Sequence, residues 1–302
     1  MQTIVDVFVG VAFGLISSLL FAIQNVIFKS HKDGISPTAA NTIKVWVGLG
    51  FMALVALLPF RTSSGPMSIE TIFILAVSVV FGAGLGDLAY LNSQNRIGVS
   101  VAFPIAHTYP VATYILSILV LGEAFLATRF LGVILAVVGI ILVFRNESAN
   151  PMDETGVIEK LDMMGVALAV LTSIMLAIAT ILIQVGIANV DPIDGNLVRM
   201  FFGSLVMTPF LIGARARGMK LPSRKVTKTI LFASFFGFAL GSLFFVASIK
   251  YAGATISSVI SSTAPIFALP LSISHLRERV TWKAIIGTLF TAIGVALAVM
   301  GI

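Results

Sequence analysis

The stretch GAGLGDLAY, Gly82 to Tyr90, carries one carboxylate in an apolar, glycine-rich run. Asp87 is the only Asp or Glu well inside any long apolar run of the chain. A carboxylate in such a place either takes up a proton or keeps a cation beside it. Counting ten residues back from the turn near Ile97 puts Asp87 about 15 Å deep, half of a roughly 30 Å hydrocarbon core. Ten residues forward reach His107, at the same depth on the next, antiparallel run. An acid and an imidazole at that depth can exchange a proton or hold a substrate amine. The plainer alternative is a structural hydrogen bond from Asp87 to Tyr90, Tyr109 or Tyr114.

Other polar residues could line the same space. Gln24 and Asn25 lie two thirds of the way along the first run, and Tyr90 and Tyr114 flank the Asp87 and His107 positions. The segment SSVISSTAP, Ser257 to Pro265, offers hydroxyls at Ser258, Ser261 and Ser262, although such hydroxyls often bond only their own backbone. Lys44 and Arg199 each sit a couple of turns into a run, where they could snorkel, pair within the fold or meet a substrate anion.

The elements that hold these residues follow from composition. The chain is 58% hydrophobic and 11% charged over 302 residues, against about 25% charged in a soluble domain. Apolar runs long enough to cross a bilayer, about 20 residues each, recur at about 7–28, 38–60, 70–93, 99–121, 127–144, 163–184, 192–212, 227–249, 254–275 and 281–301. They are continuous and not alternating, so helices and not barrel strands are expected. The fold class predicted is all-α integral membrane, with ten transmembrane helices and a multi-pass place in the cell membrane. The first run is too long for a leader and lacks a basic segment ahead of it, so it is expected as a retained helix. There is no cysteine for a disulfide or a thiolate metal site, no cofactor motif, and no feature that demands a partner chain. The net charge of +6 comes from short loops, the usual place for it in a membrane protein and not a nucleic-acid signal.

Shifted by 155 residues, the chain matches itself without a gap. Gly10 meets Gly165, Pro37 meets Pro192, Asn41 meets Asn196, Gly82 and Gly86 meet Gly237 and Gly241, and Glu123 meets Glu278. Two five-helix units are expected, 1–145 and 163–302, joined by a polar linker at 146–162. Five is odd, so the units enter the membrane in opposite directions, as inverted repeats of alternating-access carriers do. The repeat also sorts residues: a matched position serves shared architecture, an unmatched one a ligand. Asp87 aligns with Ser242 and His107 with Ser262, whereas Lys44 aligns with Arg199.

Pro37, Asn41 and Lys44, together with the long stretch from Gly86 to Leu142 that includes Pro110 and Glu123, resemble the EamA type of the drug/metabolite transporter superfamily. The second unit repeats the signature. The resemblance implies export or exchange of small metabolites, amino acids among them, through a central cavity that the fifth and tenth helices do not build. It also implies that His107, three residues before Pro110, faces that cavity. The tryptophan usual in the first helix is Phe21 here and Leu176 in the second unit, and an acid in the third helix is not part of the family pattern.

A secondary-active carrier of zwitterionic or neutral solutes is therefore expected, coupled to protons through Asp87 and His107 and acting as a monomer within the bilayer. The alternatives are an intramembrane transferase, which needs several gathered acids or histidines, and a facilitative channel. The family resemblance puts the N-terminus inside. The loop charges favour both termini outside, with fourteen basic residues on one side against three on the other.

Overall fold

The computed structural model describes residues 4–30, 34–58, 66–145, 162–219, 222–264, 266–267 and 282–300. Among them there is no strand. Helix α1 spans Ile4–Lys29, α2 Pro37–Ala56, α3 Ile69–Val79 and α4 Asp87–Ile97, the last two joined by a π-helical stretch at Val80–Gly86. Then come α5 (Val99–Ala106), α6 (Tyr109–Leu121), α7 (Ala127–Arg145), α8 (Met163–Gly186) and α9 (Pro192–Ala216). Helices α10 (Arg224–Ala233) and α11 (Leu240–Ala252) are joined by a second π-helical stretch at Ser234–Ala239, and α12 (Ala254–Ser261) and α13 (Trp282–Met300) follow.

Seven helical spans among the described residues are long and apolar enough to cross a membrane, and two shorter apolar helices run over Ala127–Leu142 and Ile285–Met300. Their outer faces carry exposed Phe8, Leu54, Phe73, Leu119 and Leu205, which suits lipid and not water. The expected linker at 146–162 lies outside the described residues except for Asp162, and so do Pro265, Glu278 and most of the expected ninth run beyond Ile266.

Local sequence explains the ends. Pro37 and Pro192 open α2 and α9, and the side chains of Ser36 and Asp191 accept hydrogen bonds from the first-turn amides. Gly98 and Gly253 turn the chain between antiparallel helices with φ of +73° and +86°, a backbone region that other residues adopt only under strain.

The fourth expected run stands as a membrane-length span, Val101–Leu121, with an interruption inside it. Helix α5 ends at Ala106, and His107 and Thr108 form a break before α6. Pro110 has no N–H to donate back to Ala106, so the α-helical ladder cannot run through. Thr108 covers the break with its hydroxyl, which donates to the Ile105 carbonyl at 2.8 Å. The same break recurs at Ser262, which caps α12, and Thr263 donates to Ile260 O at 2.7 Å.

Helices α2 and α9 run antiparallel. Gly203 meets Val45, Gly48 meets Met200, and the Ser204 hydroxyl is 3.3 Å from the Val45 carbonyl. Their buried core is Val45, Met52, Met200 and Met207 with Val79 and Phe238. Helices α7 and α13 also pack antiparallel, on glycine contacts at Gly132 against Gly294 and Gly139 against Gly287. Helix α1 packs on α11 while α8 packs on α4, so α1 and α8 each cross to the other half of the chain.

Candidate functional site

Between these crossing helices lies a cavity of about 190 Å³. Phe21, Gln24 and Asn25 of α1, Lys44 of α2, Asp87 and Tyr90 of α4, and His107 at the helix break line one part of it. Thr172, Leu176, Thr180 and Ile183 of α8, Arg199 of α9, Ser242 and Phe245 of α11 and Ser261 of α12 line the rest. None of the described lining residues comes from α7 or α13.

Eight of the eleven residues singled out in the sequence therefore share one cavity: Asp87, His107, Gln24, Asn25, Tyr90, Ser261, Lys44 and Arg199. Three do not. Tyr114 is 1% exposed, and its hydroxyl bonds the backbone of Leu126, donating to the carbonyl at 3.2 Å and accepting from the amide at 2.8 Å. Ser258 and Ser262 are fully buried and donate to Thr255 O and Ser258 O, at 2.7 and 3.1 Å. These hydroxyls close their own helix.

Asp87 and His107 line the same wall but do not pair. Asp87 forms an ion pair with Lys44, whose ammonium also sits 4.5 Å from the centre of the Phe238 ring. Burial explains the pairing: the Lys44 side chain is 9% exposed and that of Asp87 26%, and each ion offsets the desolvation of the other. His107 stacks on Phe103, ring centres 3.6 Å apart, and its Nδ1 lies 3.0 Å from the Phe103 carbonyl. Tyr90 and Tyr109 meet the same ring edge-on at 6.0 and 6.2 Å.

Arg199 is 6% exposed. Its Nε donates to the Ser78 hydroxyl at 3.1 Å and its NH1 to Asn196 Oδ1 at 3.0 Å, while the Asn196 amide donates to Ser242 at 3.0 Å. Ser78 and Asn196 were not singled out from the sequence. The repeat carries a signal for Ser78, which aligns with Ala233 and so departs from it.

Comparison with known proteins follows the same outline. The profile of the EamA-like transporter family matches residues 8–145 and again 163–300. A protein of Archaeoglobus fulgidus named an uncharacterized transporter is 23% identical over 291 residues, 95% of this chain and 96% of its own. Bacillus subtilis YdfC, also named an uncharacterized transporter, is 28% identical over 119 residues, 39% of this chain and 38% of its own. A solved crystal structure with 12% identity superposes with a TM-score of 0.79 over 96% of this chain and 97% of that one, a likeness of fold.

Proposed function

The chain belongs to the EamA-like transporter family, and from that premise we propose a secondary-active carrier that exports or exchanges small metabolites, amino acids or similar zwitterionic or neutral solutes. The two matched stretches act as inverted five-helix repeats joined by the polar linker, ten membrane helices in all, that rock about the cavity. The antiparallel pairing of α2 with α9 and of α7 with α13 supports that relation, because repeat-equivalent helices of inverted units must run in opposite directions. The observation that carries the reading is the cavity itself, which draws its lining from both halves and gathers eight of the candidate residues. The substrate rests there against Phe21, Phe238 and Leu176, within reach of Gln24, Asn25 and the Lys44–Asp87 pair.

Coupling falls to Asp87, with His107 on the same wall as the second proton site. Protonation of Asp87 removes the charge that holds Lys44, and the pair then separates or re-forms as the halves rock. The protein works as a monomer in the bilayer, carries solutes and does not transform them, and needs no cofactor. The more basic set of loops faces the cytoplasm, which places both termini outside.

The test is efflux from proteoliposomes loaded with a mixed metabolite panel, with and without a pH gradient. Asp87→Asn keeps an oxygen that can accept from Lys44 but loses the titrating group. We expect wild type to release at least one compound in response to the gradient and Asp87→Asn to lose that response. Equal gradient-driven efflux from both proteins overturns the coupling role.

A further inference from the structure

The cavity holds two buried cations of unlike standing. Lys44 is neutralised by Asp87. Arg199, its equivalent 155 residues later, has Ser242 where Lys44 has the acid, and no carboxylate lies within ion-pair reach of it among the described residues. Its two hydrogen bonds are donated by Nε and NH1, and NH2 donates to no described residue. A guanidinium at 6% exposure with only neutral partners is costly unless something negative visits it.

A second observation points to the same ligand space. Gln24 lines the cavity, is 6% exposed, and makes no hydrogen bond among the described residues. Because it lines the cavity, its amide is open to a polar group of a visiting molecule. Asn25 adds a second amide beside it on the same wall. Gly203 meets Val45 and Gly48 meets Met200, so α2 and α9 run antiparallel with Lys44 level with Ser204, and Arg199 lies five residues further along, an axial offset of about 7 Å. Phe238, Phe21 and Leu176 line the cavity with these polar groups.

We infer that Arg199 is the anion anchor of the substrate and that the substrate is a small organic carboxylate. Its carboxylate accepts from the free edge of the guanidinium, held in place by Ser78 and Asn196. Its apolar body lies against the aromatic wall, and its remaining polar group, hydroxyl or ammonium, meets Gln24, Asn25 or Asp87. With Lys44 and Asp87 cancelling each other and His107 counted as neutral, Arg199 is the one uncompensated charge among the described lining residues, and one carboxylate balances it. This inference rests on the proposed reading of the cavity as the transport site. It narrows the substrate from neutral or zwitterionic solutes to those that carry a carboxylate.

The experiment uses the full chain in lipid nanodiscs and in proteoliposomes, with acetate and acetamide as isosteric probes. We expect acetate to raise the melting temperature saturably and acetamide not to. Arg199→Gln should weaken the acetate effect at least about 30-fold, the ordinary consequence of removing one partner of a buried charge pair, and Arg199→Lys should keep part of it. In proteoliposomes, L-leucine and 2-hydroxy-4-methylpentanoate should each compete with the compound that wild type exports, and leucinol, which lacks the carboxylate, should not. Equal effects of acetate and acetamide on wild type overturn the anchor whether or not the variants fold. An acetate effect that depends on Arg199, alongside efflux that ignores both carboxylates, keeps the anchor but overturns the cavity as the transport site. Competition by leucinol equal to that of the two acids overturns the carboxylate requirement.

Discussion

At the same position of the repeat, one half of this protein holds a lysine against a carboxylate and the other holds an arginine against serine and asparagine. In the first half Asn41, the equivalent of Asn196, donates to the Ala83 carbonyl at 2.8 Å and takes no part in the pair. In the second half Asn196 links Arg199 to Ser242. The scaffold around these residues is shared: the positive-φ turns at Gly98 and Gly253, the π-helical stretches, and the breaks at His107 and Ser262 all recur. The backbone therefore follows the repeat while the cavity chemistry departs from it. The two cations match each other, and what differs is the partners: Asp87 for Lys44, and Ser78 with Asn196 for Arg199.

The largest effect should come from forcing the halves to agree. Asp87→Ser gives the first half the second half's residue and leaves Lys44 buried without its counter-ion. Breaking a buried pair this way costs about 3–5 kcal/mol, read as a large drop in the unfolding temperature together with loss of efflux. Adding Lys44→Met removes the stranded ion and should recover most of the stability but none of the transport. If Asp87→Ser alone melts like wild type, the two halves are interchangeable here and the acid has no structural task.

A middle-sized effect tests the part of the molecule where the halves do match. A Cβ on Gly132 would sit 2.6 Å from the Gly294 carbonyl oxygen, and one on Gly294 2.6 Å from that of Gly132. Both distances force α7 and α13 apart. Gly132→Ala and Gly294→Ala should each destabilise by about 1–3 kcal/mol, and by similar amounts. Thermal unfolding of the two variants side by side is the measurement, and a clear difference between them would mean that this contact is less symmetric than its geometry.

The sequence made the shared scaffold legible and half hid the cavity. Apolar runs and a gapless internal match give helix positions directly, because lipid demands long unbroken apolar segments. The break at His107 is not legible in a hydropathy run, which does not register a lost backbone hydrogen bond, although Pro110 marks its cause. Gly82 and Gly86 have the spacing that lets helices pack closely, and both face α8: an added Cβ would lie 3.3 Å from the Ala179 Cβ and 3.6 Å from the Met175 Cβ. Asp87, Lys44 and Arg199 stood out singly as charges in apolar surroundings. Their pairing could not be read, because Lys44 lies 43 residues from Asp87 and side-chain reach across two helices leaves no mark in spacing. The hydroxyls of Tyr114, Ser258 and Ser262 looked like site groups because type and depth do not tell which way a side chain points.

The smallest effect separates the two places where a first helix of one half crosses the third helix of the other. At one crossing Arg96 NH1 donates to Asp162 Oδ2 at 2.9 Å, and Asp162 Oδ1 caps α8 by accepting from the Met164 amide at 2.9 Å. At the other, the equivalent of Asp162 is Val7, 3% exposed and packed with Ala252, Ile256 and Ile260. The hydrogen bond from Arg96 holds the Asp162 carboxyl below its ordinary value of 3.8. A depressed folded-state pKa stabilises above the unfolded value and loses that contribution as pH falls through the folded one. Asp162→Asn, which keeps a capping oxygen, should therefore melt slightly below wild type from pH 7 down to about pH 5, with the gap closing below about pH 4. The gap is small at best, because both side chains of the pair are solvated. Val7→Ala should cost about 1–2 kcal/mol for its lost methyl groups, by the same amount at both pH values. A gap for Asp162→Asn that persists at low pH would place its effect in the cap and not in the charge, and the two crossings would then differ in shape alone.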